Sequence, residues 1–468
     1  MAIGEEPGIP ARSWPDYRAV WRWHFYAGLF CIPFVIVLSI SGSIYLFKPQ
    51  IEAWVDRAEA GLAIERAAAA PSAQVKAALA SVPGGSLVSY EIPEHPGDAA
   101  RVVVASGDVA KRVYVHPETL SILKTVDEEG RLMRQLFKLH GELWMGNRGS
   151  ALVELAASWT IVMILTGLYL WWPRKTAGMA GVVYPRVARG SRIFWRDVHG
   201  VSGFWISGLT LFLLLSGLPW AKFWGDYFKA ARRLTGTAVA RQDWTNGATP
   251  AVALKPASGA DAGGDHSGHG GGGGGGGGRR RRGASGPVDL GALDRVVAAV
   301  RPLALPAPVV INPPAGKGTD WDAKSMTANR PMRVDLVVDG KSGEIKERKD
   351  FKDRHLFDRI VGYGIAAHEG QLFGWPNQLL GLITAAGLVL VSMSSVVLWW
   401  RRRASGVLGA PAPAAAPRLA WGLIALIVPL AIYLPLFGAS LALVLILDQL
   451  VLRRIPPVGR WLGLIEPL

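Results

Sequence analysis

The apolar positions of this chain are gathered into long blocks rather than spaced at a helical or strand period. Ala27 to Phe47, Ala151 to Trp172, Val201 to Trp220 and Leu379 to Trp400 are almost uninterrupted, and a further apolar stretch runs from Leu419 to Leu452. A helix needs roughly 20 apolar residues to cross the hydrocarbon layer, so each of the first four blocks predicts a span. The fifth is too long for one straight span at about 1.5 Å of rise per residue. Pro435 and Gly438 within it predict a hairpin of two short helices, with one kinked helix as the alternative. The pattern describes an integral membrane α-helical bundle of about six spans.

The two long segments between spans are patterned differently. In the first, a helix-like stretch at Ala73 to Ala80 precedes strand-like alternation at Arg101 to Ala105 and Arg112 to Leu123. In the second, Leu290 to Val300 precedes Val309 to Ile311 and Arg333 to Glu347. Turn chemistry marks the strand ends at Val115-His116-Pro117-Glu118-Thr119 and at Val338-Asp339-Gly340-Lys341-Ser342-Gly343. Each segment is expected to be a small α+β domain, one helix on an antiparallel sheet. Residues 259–286 interrupt the second with nine consecutive glycines ending at Gly278, then Arg279 to Arg282. Such a run buries too little apolar surface to order itself, so it is expected to be a linker, with His266 and His269 in it not a metal site.

The resulting division is 1–48 (N-terminus and first span), 49–149 (first external domain), 150–222 (second and third spans with a basic loop), 223–377 (second external domain), 378–403 (fourth span) and 404–468 (C-terminal hairpin and tail).

Charge supplies an orientation. Arg12, Arg18 and Arg22 precede the first span, while Arg174, Lys175, Arg186, Arg189, Arg192 and Arg196 lie between the second and third. Arg401, Arg402 and Arg403 follow the fourth span, and Arg453, Arg454 and Arg460 follow the last. Short basic loops stay cytoplasmic, and six spans put every cluster on that side. Both termini are then cytoplasmic and both large loops periplasmic, in a bacterial inner membrane. The net charge of +15 reflects this sorting and the arginine linker, not nucleic-acid binding. The first span lacks a small-residue cleavage site after it and reads as an uncleaved anchor. Cys31, the one cysteine, excludes an iron–sulfur cluster, an intramolecular disulfide and covalent haem attachment.

The chain also repeats itself. His140, Gly146, Trp171-Trp172 and Arg174 recur as His368, Gly374, Trp399-Trp400 and Arg402 at a constant offset of 228. His24, Gly28 and Ser41-Gly42 recur as His199, Gly203 and Ser216-Gly217 at an offset of 175, with Trp21-Arg22 and Trp195-Arg196 nearby. This internal duplication comprises helix, external domain and helix, followed by an extra hairpin. By the predicted topology His24 and His199 sit at the cytoplasmic face, and His140 and His368 at the outer face.

Low-spin haem iron takes one axial nitrogen on each side of the porphyrin, so ligands from two facing helices suit it. Two symmetry-related pairs, His24 with His199 and His140 with His368, therefore predict two bis-histidine b-type haems. Gly28 and Gly203, four residues beyond their histidines on the same face, leave room for a flat ring. Gly42 and Gly217, 18 residues beyond the same histidines, return to that face near the other surface. The Trp-Trp pairs read as interfacial belts. Basic residues before the outer histidines (Arg131, Arg134, Lys138, and Lys352, Arg354, Arg359) are candidates for holding an anionic chelate or haem propionates, or are simply a solvated face.

These residues resemble the PepSY-associated transmembrane family, iron-regulated inner-membrane proteins that include siderophore reductases. The resemblance rests on Trp21-Arg22-Trp23-His24, Leu139-His140-Gly141, Trp195-Arg196-Asp197-Val198-His199-Gly200, Ser325-Met326-Thr327-Ala328-Asn329-Arg330-Pro331 and His368-Glu369-Gly370. It rests also on the two strand-turn signatures, which look like PepSY repeats, although Leu120 stands where the family has glycine. The resemblance implies reduction of a ferric siderophore or another ferric chelate in the periplasm, by electrons passed across the bilayer through haem. The donor would be a quinol or another protein. The competing expectation is a non-enzymatic envelope protein that binds or regulates a peptidase or other partner. No nucleotide-binding signature is visible, and the spans hold few acidic residues, Glu154 and Asp448 lying near their ends.

Overall fold

The computed structural model of the chain describes residues 16–173, 178–237, 288–314, 318–411 and 421–464. The glycine-arginine insert with His266 and His269, and the basic residues Arg12, Arg174 and Lys175, lie outside these. The chain divides into two compact units. One comprises residues 1–46, 137–238 and 378–468, and the other 47–136 and 239–377.

The first unit is helical. Its long helices are α1 (Tyr17–Tyr45), α5 (Asn147–Trp171), α6 (Ser191–Gly217) and α10 (Trp375–Arg402), which carry the four apolar blocks. Asp16 starts α1, its carboxylate accepting from Arg18 N at 2.8 Å. The fifth apolar stretch forms α11 (Trp421–Tyr433) and α12 (Pro435–Leu450), broken at Leu434. A Cβ built on Gly438 would lie 3.0 Å from Ala431 Cβ. Residues seven apart in one helix cannot approach so closely, so the two helices fold back on each other as a hairpin. Five helical segments are long and apolar enough to cross a bilayer, the last being Pro435–Arg454. α11 is shorter, at 13 residues, so the expected six full spans are five spans and a short apolar helix among the described residues.

These helices turn apolar side chains outward. Ile40, Trp205, Leu443 and Ile446 are each more than half exposed, which in water would waste roughly 1.5–3 kcal/mol per side chain. Lipid is the solvent that makes such a surface stable, and the chain is a multi-pass membrane protein. Two polar side chains, Glu154 buried and Tyr26 half-buried, tie the bundle together. Glu154 of α5 accepts from Phe223 N and Trp224 N at 3.0 and 3.1 Å, holding the start of α7 (Lys222–Leu234). Tyr26 donates to Leu462 O at 2.6 Å, binding α1 to the C-terminal helix α13 (Pro456–Leu462).

The second unit is a sheet with helices α2 (Lys48–Val55), α3 (Pro71–Ser81), α8 (Leu290–Val300) and α9 (Leu356–His368); α4 (Leu132–Glu142) crosses the division between units. Strands β1 (Ser86–Ile92), β2 (Ala100–Ser106), β3 (Val109–Val115) and β4 (Ile122–Asp127) come from the first repeat, and β5 (Val309–Asn312), β6 (Asp320–Ser325), β7 (Val334–Asp339) and β8 (Ile345–Asp350) from the second. Where the sequence predicts two separate α+β domains, these strands make one eight-stranded sheet, ordered β4-β3-β2-β1-β5-β6-β7-β8. The halves join antiparallel, with Tyr90 opposite Ile311 and Ile92 opposite Val309. The physical reason is that joining β1 to β5 removes the two most apolar edges. Of the edges that remain, β8 is mostly polar and exposed, and β4 is half polar and mostly exposed.

Helices α3 and α8 cover one face over a single core that includes Val75, Val102, Val113, Leu293, Val297, Trp321 and Leu336. The opposite face of the first half carries charge. Glu128 is buried and accepts from Arg112 at 2.8 and 3.1 Å and from Arg131 at 2.9 Å. Arg112 also reaches Glu91 at 3.2 Å, and Tyr114 donates to Asp56 at 3.0 Å.

Candidate functional site

The structure brings His24 and His199 together within the helical unit. Their ring centroids are 6.2 Å apart and their planes cross at 81°. The Thr166 hydroxyl on α5 lies 3.0 Å from His24 Nδ1 and donates its proton to the backbone, 2.8 Å from Val162 O. A hydroxyl has one proton, so Thr166 accepts from His24 and Nδ1 carries the hydrogen. His199 Nδ1 lies 3.1 Å from Val391 O on α10, and a carbonyl only accepts. Ser394 Oγ is 3.4 Å from the same nitrogen and gives its proton to Val391 O at 2.9 Å. Both imidazoles are therefore donors at Nδ1, and each keeps its lone pair at Nε2.

That tautomer is the one a metal-ligating histidine needs. A metal–nitrogen bond of about 2 Å, with an imidazole centre about 1 Å behind its nitrogen, sets two imidazoles on one metal about 6 Å apart, centre to centre. Among the described residues no group of three or more His, Cys, Asp and Glu converges. What the geometry offers is a two-histidine site.

His140, near the end of α4, repeats the arrangement. Its Nδ1 is 3.1 Å from Ser41 Oγ on α1, and that hydroxyl donates to Val37 O at 2.8 Å. Glycines make both approaches possible: a Cβ at Gly42 would stand 3.0 Å from His140 Cε1, and one at Gly167 would stand 3.1 Å from His24 Cε1. Gly42 thus lies beside His140, the next of the four repeat-related histidines along the chain. Of the two glycines expected to leave room for a ring, Gly203 has no atom within 4 Å of a built Cβ, and Gly28 has only Met163 Cε at 3.9 Å. His368 is the last residue of α9 and belongs to the other unit, so it and His140 stand in different units.

Several basic residues before the outer histidines are committed to protein carboxylates. Arg131 pairs with Glu52 and Glu128, Arg134 with Glu129, and Arg354 with Asp335. The structure therefore favours a structural role for these three over anion capture. The paired tryptophans divide their work identically in the two repeats. Trp171 donates to Val182 O and Trp399 to Leu408 O, while Trp172 and Trp400 face outward, as interfacial anchors do. Cys31 is buried and packs against Ala156 O at 3.6 Å.

Thr166, Gly167, Ser394 and Ser41 are the site residues that reading for histidines misses. A signal for them exists: the offset of 228 that relates His140 to His368 also relates Thr166 to Ser394.

Comparison with protein families gives one finding. Residues 21–402 match the model of the PepSY-associated TM region. No curated protein matches the chain.

Proposed function

Since the chain belongs to the PepSY-associated transmembrane family, we propose that it is a haem-dependent membrane reductase, passing electrons across the bilayer to a ferric chelate. The observation that carries this is the His24–His199 pair, 6.2 Å apart at the ring centres with both Nδ1 groups held by acceptors. These residues fit a haem. A porphyrin already supplies four nitrogens, so the protein need add only two, from facing helices. Open space beside Gly203, with only the flexible end of Met163 in contact with a Cβ built at Gly28, is what a flat ring between α1 and α6 requires. Haem b bound there would supply one-electron chemistry.

The rest is the work of the chain's own residues. His24 and His199 would hold the haem iron near the basic, cytoplasmic ends of α1 and α6. His140 and His368, equivalent in the repeat, are the candidates for a second haem toward the periplasm. α1 carries His24 near one end and Ser41-Gly42 near the other, linking the two levels. The substrate is a ferric siderophore or similar hard-oxygen chelate. Such ligands hold ferric iron more tightly than ferrous iron, so one-electron reduction releases the metal. The donor is a quinol or a partner protein. The concentration of arginine at one end of the spans supports cytoplasmic termini and periplasmic loops in an inner membrane.

The test is the spectrum of the full-length protein purified from haem-replete cells. A Soret band that shifts on reduction is expected, with ferric chelate reoxidising the reduced protein. His24→Ala and His199→Ala should abolish the same haem, and His140→Ala and His368→Ala the other. A colourless preparation would sink this reading and leave the envelope protein that binds or regulates a peptidase.

A further inference from the structure

Two hydroxyl–glycine pairs seat two different histidines in the same manner. Thr166-Gly167 on α5 meets His24, with the hydroxyl 3.0 Å from Nδ1 and the glycine leaving Cε1 clear. Ser41-Gly42 on α1 meets His140 with the corresponding hydroxyl at 3.1 Å and the same clearance at Cε1. The repeat partner of Thr166-Gly167 is Ser394-Ser395 on α10, and Ser394 lies beside His199 Nδ1. In each case the hydroxyl proton is spent on a carbonyl of its own helix, so the oxygen is left as an acceptor of fixed direction.

We infer that these hydroxyl–small-residue pairs are positioning elements that fix the plane and the donor strength of the haem ligands, with Thr166 the principal one for His24. The inference rests on the haem reading above. An Nδ1–H held by an acceptor makes the imidazole a stronger electron donor to its metal, which stabilises ferric over ferrous iron and lowers the potential. The two ligands of this pair are held unequally. Each has a backbone carbonyl partner, Met163 O for His24 and Val391 O for His199, but the hydroxyl lies closer to His24 (Thr166, 3.0 Å) than to His199 (Ser394, 3.4 Å). Thr166 and Ser394 can be altered by substitution, and the two carbonyls cannot.

The glycine has the second role. A methyl at position 167 would press on His24 Cε1 at 3.1 Å, and turning the ring is the simplest relief. Ring planes matter because the 81° crossing predicts a strongly anisotropic ferric low-spin signal, dominated by one low-field feature. Rotation of either ring toward parallel would replace it with a three-line rhombic spectrum.

The experiment is a redox titration with electron paramagnetic resonance on the full-length protein, comparing Thr166→Val, Thr166→Ser, Ser394→Ala and Gly167→Ala. Thr166→Val should move one haem to higher potential and shift its low-field signal, and Thr166→Ser should restore both. Ser394→Ala should move them less, since its hydroxyl lies 3.4 Å from His199 Nδ1 against 3.0 Å between Thr166 and His24. Gly167→Ala should shift the signal of that same haem, which keeps the test decisive if Thr166→Val does not accumulate. Potentials and spectra identical to wild type in Thr166→Val, or in Gly167→Ala where only that variant is obtained, would overturn the inference. A wild-type protein without haem is a separate result, since it removes the underlying reading before any variant is compared.

Discussion

Leu120 and Gly343 occupy the same place in the two halves of the sheet, and both have left-handed backbone, with φ of 61° and 77°. The turns around them match bond for bond. His116 Nδ1 accepts from Glu118 N and Thr119 N, as Asp339 Oδ1 accepts from Lys341 N and Ser342 N. Leu120 N and Gly343 N donate back to His116 O and Asp339 O at 3.1 and 2.8 Å. Glycine takes this conformation freely, whereas an L side chain is strained by roughly 1–2 kcal/mol. Leucine at 120 offsets part of that by packing on the sheet core.

Gly343→Leu should therefore destabilise the sheet by about 1–2 kcal/mol, because the nearest atom to a built Cβ, Arg295 O, is already at 3.5 Å and strain alone is added. Leu120→Gly should change stability less, relief of strain opposing lost packing. Thermal unfolding of the detergent-solubilised protein measures both; equal effects would contradict the asymmetry.

The Arg112–Glu128 pair sets a second expectation. Removing Arg112 leaves a buried carboxylate with Arg131 as its remaining guanidinium contact, and breaking such a pair costs about 3–5 kcal/mol. Arg112→Ala should accordingly unfold at much lower denaturant than wild type, while a paired Arg112→Met, Glu128→Leu variant recovers most of the loss. Failure of the double variant to recover would show that the network, rather than the pair, is the unit.

Acid should act through the same carboxyl. Burial works to raise the Glu128 carboxyl, but Arg112 and then Arg131 outweigh it and hold the group below the usual carboxylate range. With the folded value depressed, the stabilisation is complete above the unfolded value of about 4.3 and is lost as pH falls through the folded one. Wild type should lose melting temperature below that point, and Glu128→Gln should flatten the decline. Parallel curves would rule Glu128 out as a source of acid sensitivity.

Gly203→Leu tests the space beside His199. Nothing lies within 4 Å of a Cβ built there or at Gly208, so both substitutions should leave the fold intact. On the proposed ligation, only the substitution at Gly203, four residues from His199, should lower haem absorbance. Equal haem content in the two variants would place the ring elsewhere.

Much of this was legible without coordinates. The four apolar blocks became α1, α5, α6 and α10, and the helix expected at Leu290 to Val300 is observed over those residues. Length and period are local properties, and they report local structure faithfully. β6 (Asp320–Ser325) escaped notice because only Trp321, Ala323 and Ser325 turn inward, among charged neighbours. The alternation from Arg112 to Leu123 covers two strands, β3 (Val109–Val115) and β4, reversed at the turn that Val115-His116-Pro117-Glu118-Thr119 predicts.

By itself the sequence determined that the chain spans a membrane, that it is duplicated, and that histidines recur at helix ends, since hydropathy, spacing and self-similarity are written along the chain. Tertiary structure decided which groups meet. The pairing of Tyr90 with Ile311 joins residues far apart in the chain, and periodicity marks the face of a strand but not its neighbour. The same holds at the site. Four histidines were visible as letters, but the Nδ1 acceptors, Thr166 for His24 and Val391 O for His199, exist only once α5 packs on α1 and α10 on α6. A hydrogen bond fixes a tautomer through distance and direction, and neither is a property of one residue.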